Sequence, residues 1–274
     1  KENVPKYVKE EAIEGAIVGK STILLPSDRD GYMHIYIYGM NGQQIRKVGD
    51  GNYDITAIYG YDETTGDVYY QAAALNAHDR QVYVSHKNGK TERLTNQEGW
   101  NSAIFSADYE YFINTWSDYN TPYVYTVRNK SGKILSTILD NHELKQTAQQ
   151  YGFTKKETFS FTTSEGVKLD GWMVKPADFD ASRKYPVIMF QYSGPGSQQV
   201  VNSWNAGSMG QGGAFDYYLA SEGFIVVCVD GRGTGGRGSE FEKSVYLRLG
   251  DLESKDQVET ALYLGSLSSI SFLI

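Results

Sequence analysis

A chain of 274 residues, 40% hydrophobic and 22% charged, has the composition of a globular protein with room for a real core, one large domain or two ordinary ones. Its formal net charge of −7 argues against nucleic acid as a partner, because phosphate binding needs a clustered basic surface. No run of 18 apolar residues occurs, so no helical membrane span is expected. The single cysteine, Cys228, lies in the apolar run 224–229 and reads as a buried thiol, which excludes a disulfide framework and a Cys-based zinc site. The histidines, His34, His78, His86 and His142, are scattered without metal-ligand spacing, so neither metal nor cofactor is expected.

In chain order, the first ~150 residues are tyrosine-rich and alternate with period two, which predicts strands. They also repeat. Ile35-Tyr36-Ile37-Tyr38 precedes Asn41-Gly42, Val82-Tyr83-Val84 precedes Asn88-Gly89, and Val124-Tyr125-Thr126-Val127 precedes Ser131-Gly132. The marker tyrosines Tyr36, Tyr83 and Tyr125 stand 47 and 42 residues apart, with tyrosine-to-glycine spacings of 6, 6 and 7. Asn-Gly is expected to supply the positive φ angles of a two-residue hairpin turn. Four short strands every ~40–50 residues is the pattern of β-propeller blades, with a β-sandwich as the alternative.

After Phe153 the rhythm changes. Residues 158–162 and 167–174 flank Ser164-Glu165-Gly166 and predict a hairpin. Residues 186–191 predict a buried strand that breaks into a glycine-rich loop. Residues 213–222 predict a helix ended by Gly223, and 224–229 a second buried strand. Gly231 to Gly238 form another glycine loop, and 251–264 a helix with Val258, Ala261 and Leu262 on one face. Strand, loop and helix twice over is the rhythm of a parallel α/β sheet.

Four motifs in order carry a resemblance. They are Gly171-Trp172-Met173-Val174-Lys175-Pro176, then Gln191-Tyr192-Ser193-Gly194-Pro195-Gly196-Ser197-Gln198, then Val229-Asp230-Gly231-Arg232-Gly233-Thr234-Gly235, then Leu249-Gly250-Asp251-Leu252-Glu253-Ser254-Lys255-Asp256-Gln257. Together with Ser27-Asp28-Arg29-Asp30-Gly31-Tyr32 and Thr91-Glu92-Arg93-Leu94-Thr95, they make the chain similar to the dipeptidyl peptidase IV branch of the prolyl oligopeptidase family over about residues 8 to 266. The resemblance implies a β plus α/β fold: part of a β-propeller, about three blades, over residues 1–153, then the N-terminal part of an α/β-hydrolase domain over 154–274. It also implies a serine exopeptidase that releases X-Pro or X-Ala dipeptides from peptides with a free N-terminus, by way of an acyl-enzyme. The longer protein is expected to be a homodimer and to lie in a periplasmic, secreted or membrane-anchored setting.

The residue that falls in the family's oxyanion motif is Tyr192, whose phenol can donate to charge that develops only in the transition state, worth ~3–4 kcal/mol. The serine, aspartate and histidine of the triad are not found. The family's Gly-Trp-Ser-x-Gly-Gly elbow is expected beyond the helix starting near Asp251, where the sequence instead runs 268–274 as an apolar stretch. Both ends read as cuts through a longer protein, and the chain alone is expected to be inactive. Three look-alikes are set aside. Ser208, in Ala206-Gly207-Ser208-Met209-Gly210, has no apolar strand before it. Glu10-Glu11 reads as a solvated face rather than the family's ammonium clamp. The loop 231–238 lacks Gly-x-Gly-x-x-Gly spacing and reads as shaping the sheet edge rather than holding a dinucleotide. Two alternatives remain: an acylaminoacyl-peptidase or oligopeptidase relative, and a non-catalytic propeller-containing binding protein.

Overall fold

The computed structural model describes residues 3–4, 6–208, 213–267 and 269–271, with the backbone course alone at 11 and 271. The closing apolar run lies outside the described residues at 268 and 272–274, as do Met209 and Gly210 of the Ser208 look-alike. After a short helix α1 (Glu10–Glu14), twelve strands follow: β1 (Ile17–Val18), β2 (Thr22–Ser27), β3 (His34–Gly39), β4 (Gln44–Val48), β5 (Ile55–Asp62), β6 (Asp67–Ala72), β7 (Gln81–Ser85), β8 (Thr91–Arg93), β9 (Trp100–Phe105), β10 (Tyr111–Asp118), β11 (Thr121–Asn129) and β12 (Ile134–Leu139). They form three four-stranded sheets in the orders β1-β2-β3-β4, β5-β6-β7-β8 and β12-β11-β10-β9. Each sequence repeat is therefore one sheet, and the three marked hairpins are its third and fourth strands.

The turns differ from expectation. Asn41, Asn88 and Ser131 keep negative φ, and only Gly42, Gly89 and Gly132 are left-handed, at 80°, 88° and 82°. The Gly39 amide bonds to the Gln43 carbonyl, that of His86 to Lys90 and that of Asn129 to Lys133, so each connection has three residues rather than two. The Asn41 and Asn88 side chains act as acceptors instead, taking the amides of Gln43 and Lys90. In the third repeat the register shifts at Tyr125/Thr126 and Val127/Arg128, leaving the extra residues on β12.

Period two also explains the tyrosines. On β6, Tyr70 joins Leu24, Ile35, Ile37 and Val48 of the first sheet. Its neighbour Tyr69 faces the other way, toward Ala103 and Phe112 of the third. Tyr83 of β7 joins the first of these clusters and Val82 and Val84 the second. The middle sheet thus buries both faces, and aromatic rings fill the wide gaps between sheets.

Helix α2 (His142–Gln150) leads to β13 (Lys156–Thr162), β14 (Lys168–Val174), β15 (Tyr185–Phe190), α3 (Ala214–Ser221), β16 (Ile225–Asp230), α4 (Ser239–Glu242), α5 (Asp251–Gly265) and β17 (Ile270–Ser271). The fourth sheet has the order β13-β14-β16-β15-β17. Its first three strands pair antiparallel, whereas β15 runs parallel to β16 and β17. All six residues of β16 are buried, as suits a strand covered on both faces. Trp172, Val174, Val200, Tyr217, Val226 and Cys228 form the core beside it.

In α5 the face shared by Val258, Ala261 and Leu262 is not the buried one. Val258 and Leu262 are exposed, and Glu253, Asp256, Thr260 and Leu264 are buried. Polar residues win this face because they are partnered: Asp256 takes the Arg232 guanidinium, Glu253 accepts the Gly250 amide, and Tyr263 stacks 4.6 Å from Phe161.

Two compact units emerge, one of Lys1–Trp116, Val124–Asp140 and Gly236–Lys243, the other of Ser117–Tyr123, Asn141–Gly235 and Ser244–Ile274. Within the first, the segment bearing α4 is tied down by polar contacts. The Gly238 amide donates to Asp54 at 2.9 Å and the Ser239 amide to the Gly31 carbonyl at 2.7 Å. Lys243 pairs with Asp28 at 2.5 Å, and Glu242 with Lys9. Among the described residues, no helix is long and apolar enough to cross a membrane.

Candidate functional site

The parallel strand β15 ends at Phe190, and the chain leaves the sheet's C-terminal edge as the loop 191–200. Left-handed Gly194 (φ 136°) and Gly196 (φ 79°) turn it sharply, conformations a Cβ resists. Tyr192 stands on this loop with its side chain 64% exposed, and among the described residues its hydroxyl makes no hydrogen bond. A phenol held outward at the end of a parallel strand can donate to an incoming oxyanion without first breaking an internal bond.

The neighbouring strand β16 ends in Asp230, which is buried. Its carboxylate accepts the amide of Gln199 at 3.0 Å and that of Val200 at 2.9 Å. The glycine loop that follows is held from beneath by Asp256 on α5. Asp256 accepts the Arg232 amide at 2.7 Å and two guanidinium nitrogens, Nε at 3.1 Å and Nη2 at 2.7 Å. These bonds to Asp256, with the Glu165 carboxylate adding to them, hold the Arg232 guanidinium above its ordinary pKa. Within the loop the Arg232, Thr234 and Gly235 amides are taken by Asp256, the Gly231 carbonyl and the Ser197 carbonyl, so these three are spent on the protein itself.

Ser208 has a different setting from a nucleophile. It is buried, and its hydroxyl donates to Asp216 Oδ1 while its amide donates to Oδ2 at 3.1 Å. The other partner of Asp216 is Lys156, at 3.5 Å. Lys156 Nζ also donates to the Ala206 carbonyl at 2.5 Å and lies 4.0 Å above the Trp172 ring. Burial pushes the lysine down to about 8 despite the attraction of Asp216, so desolvation outweighs the ion pair. Among the described residues the Ser208 hydroxyl goes to Asp216, a carboxylate already paired with Lys156 and a weaker base than the imidazole that activates a triad serine.

The remaining candidates are placed as follows. Cys228 is buried in β16, and burial raises its thiol well above the ordinary value. Glu10 is exposed on α1, and the Glu11 side chain lies outside the described residues. His34 is buried between Tyr32 and Tyr53, and burial lowers its pKa. His86 bonds Asp67 at 3.0 Å. Sequence reasoning missed the Lys156–Asp216 pair, because Lys155-Lys156 looks like a solvated doublet. Period two gave no signal either: β13 pairs with β14 without a register shift, so Lys156 and Phe161, five residues apart, lie on opposite faces of the strand although both are buried.

Comparison with known proteins places this geometry. Residues 1–123 match the family profile described as the dipeptidyl peptidase IV (DPP IV) N-terminal region, and residues 215–271 that of the prolyl oligopeptidase family. Dipeptidyl peptidase 4 of Arthroderma otae is 32% identical over 255 residues, an overlap of 90% of this chain and 32% of that protein. Dipeptidyl peptidase 4 of Trichophyton rubrum is 31% identical over the same coverage. The crystal structure of Porphyromonas gingivalis dipeptidyl peptidase 4 superposes with a TM-score of 0.89 at 39% identity, covering 97% of this chain and 37% of that one. The chain spans about a third of the length of the curated relatives it matches. On two profile matches in the expected order and a shared fold along nearly its whole length, the chain belongs to the dipeptidyl peptidase IV branch of the prolyl oligopeptidase family.

Proposed function

We propose that this chain is the middle portion of a serine exopeptidase that removes X-Pro or X-Ala dipeptides from peptides with a free N-terminus. In this reading the three stacked sheets are blades of a β-propeller, the fold changes near residue 153, and the fourth sheet opens an α/β-hydrolase domain. The observation that carries it is Tyr192, an outward phenol in the loop after a parallel strand. Support comes from the relatives and from the strand order of the fourth sheet.

The chemistry follows from that placement. A serine, supplied by sequence outside the matched third, gives its hydroxyl proton to a histidine base and adds to the carbonyl of the peptide's second residue. The carbonyl oxygen then carries the negative charge, and the Tyr192 hydroxyl donates a hydrogen bond to it. As the C=O re-forms the C–N bond breaks and the amine leaves with the proton held by the histidine, and the same steps with water as nucleophile release the dipeptide and restore the serine. Tyr192 contributes only while the oxyanion exists, so it lowers the barrier rather than tightening ground-state binding. The longer protein is proposed to act as a homodimer.

The test compares Gly-Pro-nitroanilide with its N-acetylated form, using the full-length product of the gene that carries this segment. Release from the free-amino substrate alone supports the dipeptidyl reading. Release from the acetylated substrate alone supports an acylaminoacyl-peptidase, and binding without turnover of either supports a non-catalytic protein.

A further inference from the structure

The phenol of Tyr192 is exposed, so its aim depends on how firmly its loop is held. Five backbone groups of that loop, on residues 196, 197, 199 and 200, are engaged by two neighbouring segments, 230–235 and β14. Asp230 grips the Gln199 and Val200 amides. The Gly196 amide donates to the Gly233 carbonyl at 3.2 Å, and the Gly235 amide to the Ser197 carbonyl at 2.9 Å. The Trp172 indole donates to the Gln199 carbonyl at 3.2 Å. Within the loop, the Ser197 hydroxyl reaches the Gly194 carbonyl at 3.0 Å and the Tyr192 carbonyl at 3.4 Å. Backbone meets backbone so closely that a Cβ on Gly235 would stand 3.0 Å from the Gly196 carbonyl oxygen.

We infer that Asp230 and the glycine loop 231–235 form a clamp that positions the Tyr192 loop for oxyanion donation, Asp230 being a positioning residue and not a catalytic one. This deepens the peptidase reading of Tyr192 and rests on it. The physical argument is one of direction. Asp230 is a buried carboxylate at the end of a rigid, fully buried strand, and an ionised carboxylate makes the stronger kind of hydrogen bond to backbone amides. Arg232, fixed by Asp256, keeps the next residues from swinging away. The route from α5 to Tyr192 therefore runs through paired polar groups and glycine contacts, with no flexible side chain between the strand end and residue 199. Pre-organisation of this kind matters for an oxyanion donor, since its value depends on needing no reorganisation at the moment of reaction.

Two measurements test it. In the 274-residue chain, Asp230→Ala is expected to speed amide exchange at Gln199 and Val200 by about tenfold or more, with β14 and β16 unchanged; this is the change that loss of ~1.4 kcal/mol of local protection gives. Asp230→Asn, which keeps one acceptor oxygen, gives an intermediate effect, and Gly235→Ala loosens the same loop. An unchanged loop, or an equal rise throughout the sheet, overturns the clamp. In the full-length peptidase, Asp230→Asn is expected to lower kcat about tenfold with KM held, and to have little further effect in a Tyr192→Phe background. Losses that multiply overturn the positioning role. If Tyr192→Phe leaves kcat unchanged, the reading of Tyr192 fails and the positioning role with it, while the exchange result reports separately whether the loop is held.

Discussion

Lys156 shows how far a residue can depart from its appearance in the sequence. An ammonium with a 1% exposed side chain survives only because Asp216, the Ala206 carbonyl and the Trp172 ring share its charge. Lys156→Met leaves the Asp216 carboxylate buried with Ser208 alone, a change that should cost about 3–5 kcal/mol. The sign of the pH dependence follows from the depressed pKa. Between about 8, where the folded lysine loses its proton, and 10.5, where the unfolded one does, the unfolded chain binds more protons. This group's contribution to stability therefore rises with pH across that window, and Lys156→Met should abolish the rise. Urea-unfolding midpoints of both proteins at pH 7.5 and 10 check the prediction; a parallel pH response would contradict it. None of this was legible beforehand, because a lysine's burial is decided by partners 50 and 60 residues away.

Elements were more legible than the side chains inside them. The alternation of β3, β7 and β11 and the glycines after them gave the hairpins, since period two and a positive φ are local properties. The turn length was misread because asparagine before glycine can serve either as a left-handed residue or as a side-chain acceptor, and the sequence is the same for both. The α5 helix itself was legible, but not which of its faces is buried: Val258 and Leu262 share an exposed face, while the Arg232 partner of Asp256 holds the other face in. The repeat glycines also differ in what surrounds them. Gly89 at φ 88° has open space where a Cβ would go, whereas a Cβ on Gly132 at φ 82° would stand 2.2 Å from the Leu94 carbonyl oxygen. Gly89→Ala should then cost only the left-handed penalty of about 1–2 kcal/mol. Gly132→Ala adds a backbone clash and should cost clearly more. Thermal unfolding of the two variants ranks them, and equal losses would show that the third hairpin yields freely.

At the scale of the molecule, the count of repeats could be read directly, since it is a periodicity, and each repeat is one four-stranded sheet. Tyr192 is singled out by motif alone, whereas the bonds between its loop and Asp230 could not be read from the sequence, because Asp230 and Gln199 meet only after β15 and β16 lie side by side. The matched third holds no activated serine among its described residues: Ser208 is committed to Asp216. The 274-residue chain should accordingly take no label from a fluorophosphonate probe, and labelling abolished by Ser208→Ala would contradict the assignment.

The most direct measurement of the central claim is the turnover of Gly-Pro-nitroanilide by the full-length product of the gene that carries this segment, with and without Tyr192→Phe. A lost oxyanion donor should lower kcat about 10²–10³-fold with KM nearly unchanged. A kcat equal to that of the unaltered enzyme would remove Tyr192 from the oxyanion site and leave this portion of the chain as scaffold.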